Sequence, residues 1–574
     1  MKKKYVSVIA LALMVCMLCA LFAGCGSTES ASNGSPETST ETSVENSTET
    51  SAEQADDSSE TGSETGSEAG ESEGITMPLC EEEVTFTWWN AMNPNLVQYI
   101  ADMNDILVYQ KMEELSNVHI DWVTVSAAVE GEQFNIMVST EDYTDICGSS
   151  MASYSGGDEA ALADDVIIDL TDLIQENAPD YWELISSDEA NFKELSTSEN
   201  KIISFDVVYS DPVDIDFGPQ IRQDLLDELS MEKPKTYDDM YEFLTACKTE
   251  LGLDGGLLLP KQSASYLNYL SAGFGVAAYL NDGMGGLTGP FYQIDGTVKF
   301  GPFEEGYVDY LTVMNQWYSE GLINQDYVSL GNGWSPDEET VTNGEAAVWF
   351  DDRGNIDNYN NSSSVEGFKC VGTYDLVQNE GDQLHFDEYG YTVSMNSIYI
   401  LSVCENPDIA CQYFNYRYTE EGELLNNWGV EGVTFEYGDD GQPHYTDLIV
   451  NNDLYGAEYA LQVYCLWRAP MLTDCTKFAD IYSEDIIEAS ETWASNRDSE
   501  YKIPKGVSMD SEASDEYGRL MAEVTTYYSE MLPKFINGEV SIDQYDNFVQ
   551  TLKDLGADRC IELWQEALDA YNAK

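Results

Sequence analysis

From about residue 80 onward the chain switches repeatedly between two hydrophobic periods, and this switching limits its fold more than any other feature. Val84-Thr85-Phe86-Thr87-Trp88 alternates apolar with polar, the two-residue period of a strand. Trp89-Asn90-Ala91-Met92-Asn93-Pro94-Asn95 then breaks into a turn or loop. Residues 106–115 carry helical spacing, and His119-Ile120-Asp121-Trp122-Val123-Thr124-Val125 reads as a second strand. Residues 134–138 suggest a short helix and Asp145-Ile146-Cys147-Gly148 a short strand end. The apolar stretch Val166-Ile167-Ile168-Asp169-Leu170 leads into another helix. Alternation of this kind predicts α/β units on a parallel sheet.

The middle of the chain is richer in helices. Ile221, Leu225, Leu226 and Leu229 form one apolar face in IRQDLLDELS. Thr236, followed by Asp238 and Asp239, is a helix N-cap with acidic residues in the first turn. Tyr307, Leu311, Met314 and Tyr318 recur at helical spacing. Gly321 then serves as the residue just past the helix end, closed by Leu322 and Ile323. Asn406-Pro407 starts a helix expected to stop near Gly422. Ile561, Trp564, Leu568 and Tyr571 form the stripe of a final helix. No internal repeat is present.

The N-terminus is a different kind of sequence. Lys2, Lys3 and Lys4 precede a nearly unbroken apolar run from residue 5 to 22, and Leu21-Phe22-Ala23-Gly24-Cys25 follows. A basic head, an apolar stretch and a small-residue box make a secretory signal. The run is long enough to span a bilayer, but the acidic stretch after it argues against a transmembrane helix. A box ending on Cys resembles the lipobox of bacterial lipoproteins. That resemblance implies a signal peptide over residues 1–24, lipidation of Cys25 and a site of work outside the cell. Residues 25–79 are a Ser, Thr, Glu and Gly linker that buries too little apolar surface to order itself. About 50 residues of such coil reach roughly 40 Å. The remaining residues, 80–574, suffice for a body of two or three domains.

The sequence carries 106 acidic against 25 basic residues. Nucleic acid and anionic lipid surfaces are therefore poor partners for the body. Apart from Cys16, Cys19 and Cys25, nine cysteines stand at irregular spacing with no C-x-x-C. They read mostly as small core residues, with a Cys465–Cys475 bridge as the one pairing considered. His119, His385 and His444 lie far apart, and none belongs to a metal-binding motif. Asp351-Asp352-Arg353-Gly354-Asn355 and Asp439-Asp440-Gly441 suggest calcium loops but lack the twelve-residue pattern, so no metal is assigned. No nucleophile elbow, P-loop or dinucleotide fingerprint occurs. With so many carboxylates, paired acids of the glycosidase kind arise by chance. The expectation is a binder with no cofactor rather than an enzyme.

Four blocks in order resemble large solute-binding lipoproteins of carbohydrate ABC importers, chiefly from Gram-positive bacteria. They are residues 221–229 with Pro234-Lys235-Thr236-Tyr237-Asp238-Asp239; Gly296-Thr297-Val298-Lys299-Phe300-Gly301-Pro302 with Tyr318-Ser319-Glu320-Gly321-Leu322-Ile323; Asn406-Pro407-Asp408 with Glu420-Glu421-Gly422 and Trp428-Gly429-Val430-Glu431-Gly432; and Phe535-Ile536-Asn537-Gly538 with Leu555-Gly556. Leu226 stands where the family usually has Trp, and Trp428 where it has Tyr. The resemblance spans residues 80–574. It implies an α/β, periplasmic-binding-protein-like fold of type II. Two interleaved lobes would enclose a ligand cleft and move about a hinge. It further implies a monomer on the outer face of the cytoplasmic membrane, held by a lipid anchor. Such a monomer would deliver carbohydrate to membrane permease subunits.

Aromatic rings suit the flat faces of sugars, and Asp, Glu, Asn and Arg suit their hydroxyl rims. Candidates are sought where strands end in loops. Trp88, Trp89 and Asn90 end the first strand. Trp88 is in phase with the core residues Val84 and Phe86, which favours Trp89 as the ligand contact. Gly148 and Ser149 offer backbone N–H groups. Trp349, Asp351 and Arg353 combine a ring with charged rim groups. Trp428 and Glu431, Arg222, and Trp467 with Arg468 complete the set. The scarcity of arginine leans the expectation toward a neutral oligosaccharide. A binder of peptides or other small solutes on the same fold, and a surface glycoside-active enzyme, are the alternatives.

Overall fold

A computed structural model describes residues 75–573, apart from 93–95, 97–98, 127–128, 213, 260–268, 278–289, 331–335, 387–389, 453–455, 468 and 505. The signal, the lipidated Cys25, the linker up to residue 74 and the candidate Arg468 lie outside the described residues. Among the described residues no helix is long and apolar enough to cross a membrane.

The described strands, in chain order, are β1 Val84–Met92, β2 Val118–Ser126, β3 Ile146–Cys147, β4 Phe205–Tyr209, β5 Phe217–Arg222, β6 Phe291–Ile294, β7 Thr297–Phe300, β8 Val348–Asp352, β9 Cys370–Gly372, β10 Val393–Ile400, β11 Phe435–Tyr437, β12 Pro443–Tyr445 and β13 Leu472–Thr473. Lobe one is built on a six-stranded sheet in the order β13-β4-β10-β3-β1-β2. β1 pairs in parallel with β2 and β3, and β13 in parallel with β4. β10 runs antiparallel to both β3 and β4. Helices cover both faces. Phe86 and Trp88 are buried on one side and Trp89 in a separate cluster on the other. Such two-sided burial is usual for parallel strands.

Lobe two is built on a three-stranded antiparallel sheet. β5 lies between β8 and β9 and is antiparallel to both. Leu257 adds a parallel bridge to Val348 and another to Ile323. Ile221, read from the sequence as part of a helical face, is a residue of β5, and the helix begins only at Gln223. Because β5 is buried in the sheet, Ile221 needs no helical phase to reach the core.

The helix over Tyr237–Glu250 starts as read. Thr236 Oγ1 accepts from the Asp239 N–H at 3.2 Å, and Asp239 returns the bond at 3.0 Å. Gly321 takes a left-handed φ of 69° after the helix Glu305–Ser319. The helix begun at Pro407 ends at Asn415, not near Gly422. Gly422 lies in the first turn of the next helix, Glu420–Trp428, where a Cβ would meet the Tyr416 carbonyl oxygen at 1.5 Å. The glycine thus marks a close approach of backbone rather than a stop. The final stripe packs as expected, with Leu568 and Tyr571 buried and Ile561 and Trp564 partly so.

Three segments cross between the lobes: 210–216 from β4 to β5, 373–392 from β9 to β10, and 474–483 from β13 to the helix Glu484–Ala494. That helix contributes Ile486, Ala489 and Trp493 to a lobe-two core. All nine described cysteines are free thiols, so Cys465 and Cys475 are not bridged.

Candidate functional site

Two adjoining cavities lie where the lobe-one strands end and the crossing segments leave. The larger, about 270 Å³, is lined by Trp88, Asn90 and Gly148 at the ends of β1 and β3, and by Tyr109, Arg417 and Trp467. The smaller, about 180 Å³, is lined by residues of all three crossings. Asp216 comes from the first, Tyr391 from the second, and Lys477, Phe478 and Tyr482 from the third. Arg353 of lobe two closes its wall. Asn396 and Trp467 line both cavities, which makes them one continuous site. The ladder between β10 and β4 shifts register between Ser394 and Ile398, the stretch that carries Asn396. A third space among Met240, Leu257 and Trp317 in lobe two measures about 10 Å³, room for one water at most.

Several side chains are held firmly. Trp88 stacks on Trp122 with ring centroids 4.6 Å apart. Arg353 pairs with Asp216 at 2.9 Å and donates to Ser490 Oγ at 2.7 Å. Burial lowers the Lys477 ammonium from the ordinary lysine value to about 8, against the partial opposing effect of Cys465, Asp474 and Cys475. Its Nζ donates to Asn427 Oδ1 at 2.8 Å. Behind the sheet, burial raises Asp206 to about 6, although hydroxyls of Ser397, Ser204 and Tyr181 donate to its carboxylate.

The structure brings five of the sequence candidates to these cavities: Trp88, Asn90, Gly148, Arg353 and Trp467. The backbone N–H of Gly148 is already bonded to the Trp89 carbonyl at 3.3 Å. Ser149 opens the short helix that follows. Other candidates sit elsewhere, each for a local reason. Trp89 packs edge-on against Phe134 in the opposite-face core. Trp349 is buried and donates to Gln220 Oε1 at 3.0 Å, and Asp351 is buried and accepts from Tyr359 and Asn355. Arg222 is clamped by Asp224 at 2.7 and 2.6 Å. Trp428 donates to Asp474 at 2.7 Å and packs on Tyr445, while Glu431 lies exposed in the turn beyond.

The suggested calcium loops do not converge on a cation position. Asp352 caps the Gly354 N–H, and Asp440 accepts from Gln442 and faces His444. Among the described residues one group of three metal-type donors exists, His385, Asp498 and Glu500, and His385 Nδ1 sits 2.8 Å from Asp498 Oδ1.

Tyr391, Asn396, Arg417, Lys477, Phe478 and Tyr482 were not singled out from the sequence. Tyr391, Lys477, Phe478 and Tyr482 lie on the crossings, Asn396 in β10 and Arg417 in the short helix Tyr416–Tyr418, so only the folded chain brings them together. Gly372 and Gly218 were available signals. A Cβ on Gly372 would lie 2.5 Å from Ala489 Cβ, and one on Gly218 2.4 Å from Trp493. These glycines let the helix after the third crossing dock on β5 and β9.

No family model matches the chain. The fructooligosaccharide ABC transporter substrate-binding protein FusA of Streptococcus pneumoniae is 23% identical over 539 residues, covering 87% of this chain and 93% of that one. Lipoprotein LipO of Bacillus subtilis is 24% identical over 410 residues, 67% of this chain and 76% of that one. The HMO-binding ABC-transporter-associated solute binding protein of Bifidobacterium longum infantis superposes with a TM-score of 0.69 at 16% identity, over 85% of this chain and 99% of that one. Two lobes joined by three crossings around a cleft give this chain the fold of the solute-binding proteins it superposes on, and its sequence is similar over most of its length to an ABC transporter substrate-binding protein.

Proposed function

We propose that the protein is the extracellular receptor of an ABC importer, capturing an oligosaccharide between its lobes and presenting it to a membrane permease. The observation that carries this reading is the continuous site at the crossings. It combines the rings of Trp467, Tyr391 and Phe478 with the polar groups of Asn90 and Asn396. A ligand touching both lobes stabilises the closed arrangement by its greater affinity for that arrangement. FusA, whose name places it with a fructooligosaccharide transporter, supports the choice of cargo. No catalytic residue is assigned.

The chain is held outside the cell by lipid on Cys25, with residues 25–79 as the leash. LipO, a lipoprotein, supports this arrangement. Tethering keeps the receptor at high effective concentration beside its permease.

Titration calorimetry of the purified protein against neutral and uronic oligosaccharides tests the reading. Binding by at least one saccharide, weakened by Trp467→Ala, is expected. Silence across the panel combined with binding of peptides would replace it with a peptide receptor. Release of reducing ends from any saccharide would replace it with an enzyme.

A further inference from the structure

The cavity wall contains two buried cations that have no carboxylate partner among the described residues. Arg417 is fully buried and lines the larger cavity. Its Nη1 donates to the Pro470 carbonyl at 3.3 Å, while Nε and Nη2 have no hydrogen-bond partner. The Trp88 ring centroid is 5.5 Å from the guanidinium, and the indole Nε1 of Trp88 is likewise without a partner. Lys477, 1% exposed, lines the adjoining cavity and has only the amide oxygen of Asn427 as its hydrogen-bond partner. Among the described residues neither cation has a carboxylate within 4.0 Å. The other deeply placed arginines do: Arg222 has Asp224, Arg353 has Asp216 and Arg497 has Asp375.

A buried, uncompensated charge costs several kcal/mol, and an arginine cannot shed its proton to avoid that cost. The rings of Trp88, Tyr109, Tyr413 and Phe414, 5.2–5.9 Å away, offset part of it. Carboxylates are the most abundant charged groups in the chain, 106 against 25 cations, so a partner would be easy to supply. Both cations left unpaired face the same continuous site.

We infer that the cargo is an acidic saccharide, whose carboxylate is selected by the charges of Arg417 and Lys477, neither of which has a carboxylate in contact among the described residues. The inference rests on the oligosaccharide reading above and narrows it. In a low-dielectric wall each charge acts on the cavity far more strongly than it would in water. The few arginines in the chain do not argue for a neutral ligand, because the relevant quantity is where the unpaired ones sit. Arg353, already neutralised by Asp216, contributes a rim contact rather than net charge.

Matched probes test this. Trigalacturonic acid is compared with its fully methyl-esterified form, and sialyllactose with lactose, by calorimetry on the purified protein. The acidic member of at least one pair should bind about tenfold or more tightly than its neutral partner. That preference should shrink in high salt and collapse in Arg417→Met while Trp122→Phe retains it. If Arg417→Met fails to fold, the wild-type comparison of acid with ester and Lys477→Met decide the matter. Equal or tighter binding of the neutral partners would overturn the inference and leave the oligosaccharide reading standing. So would binding of neutral sugars such as kestose with no response to either acid. No binding by any saccharide, acidic or neutral, would remove both.

Discussion

At the scale of single residues, one step in sequence separates a cavity wall from a core. Trp88 and Trp89 are neighbours on β1, yet Trp88 lines the cavity and Trp89 packs against Phe134 behind the sheet. Trp89→Ala should therefore lower stability by about 3–5 kcal/mol with little change in the affinity of the protein that remains folded, measured by urea unfolding and calorimetry. Trp467→Ala should do the reverse, weakening saccharide binding about 30-fold with a small change in midpoint. The two-residue alternation correctly put Trp88 in phase with Phe86. It could not show that the opposite face was buried as well, because that depends on helices far away in sequence. The burial of Arg417 and Lys477 was invisible for the same reason.

Lys477 also gives a pH prediction. Burial holds its folded value near 8, below that of an unfolded lysine, so between those values the native state binds fewer protons than the unfolded chain. Stability should rise as pH climbs through that window, and Lys477→Met should remove this part of the slope in unfolding measured from pH 7 to 10. The groups facing the ammonium, Asp474, Cys465 and Cys475, act in the opposite direction but do not outweigh desolvation.

At the scale of elements, caps and periodic stripes were legible and close approaches were not. Thr236 with Asp239 and the last helix Ala557–Ala573 follow directly from side-chain spacing. Thr236→Ala should cost about 1 kcal/mol, read as a lower urea midpoint at unchanged slope. Gly422 looked like a helix end because a glycine that stops a helix and a glycine that admits a neighbouring carbonyl are the same letter. Gly372 is the second kind. Gly372→Val forces apart β9 and the helix Glu484–Ala494, and should destabilise the protein by about 2–3 kcal/mol. The crossings supply much of the smaller cavity, and the residues they carry there are brought together only by their position between the sheets.

At the scale of the molecule, two sheets with separate cores are joined by three segments, and the candidate site lies against those segments. The lobes also touch at a second place. Tyr571 of the last helix donates to Glu194 of lobe one at 2.6 Å, and Glu194 accepts from the Gly506 N–H at 2.7 Å. The central claim is that cargo is gripped between lobes that move. Small-angle scattering of the purified protein, with and without a saturating saccharide identified by calorimetry, tests it most directly. The account predicts a smaller radius of gyration in the bound state, lost in Trp467→Ala at the same saccharide concentration. Tight binding with an unchanged scattering profile would contradict it.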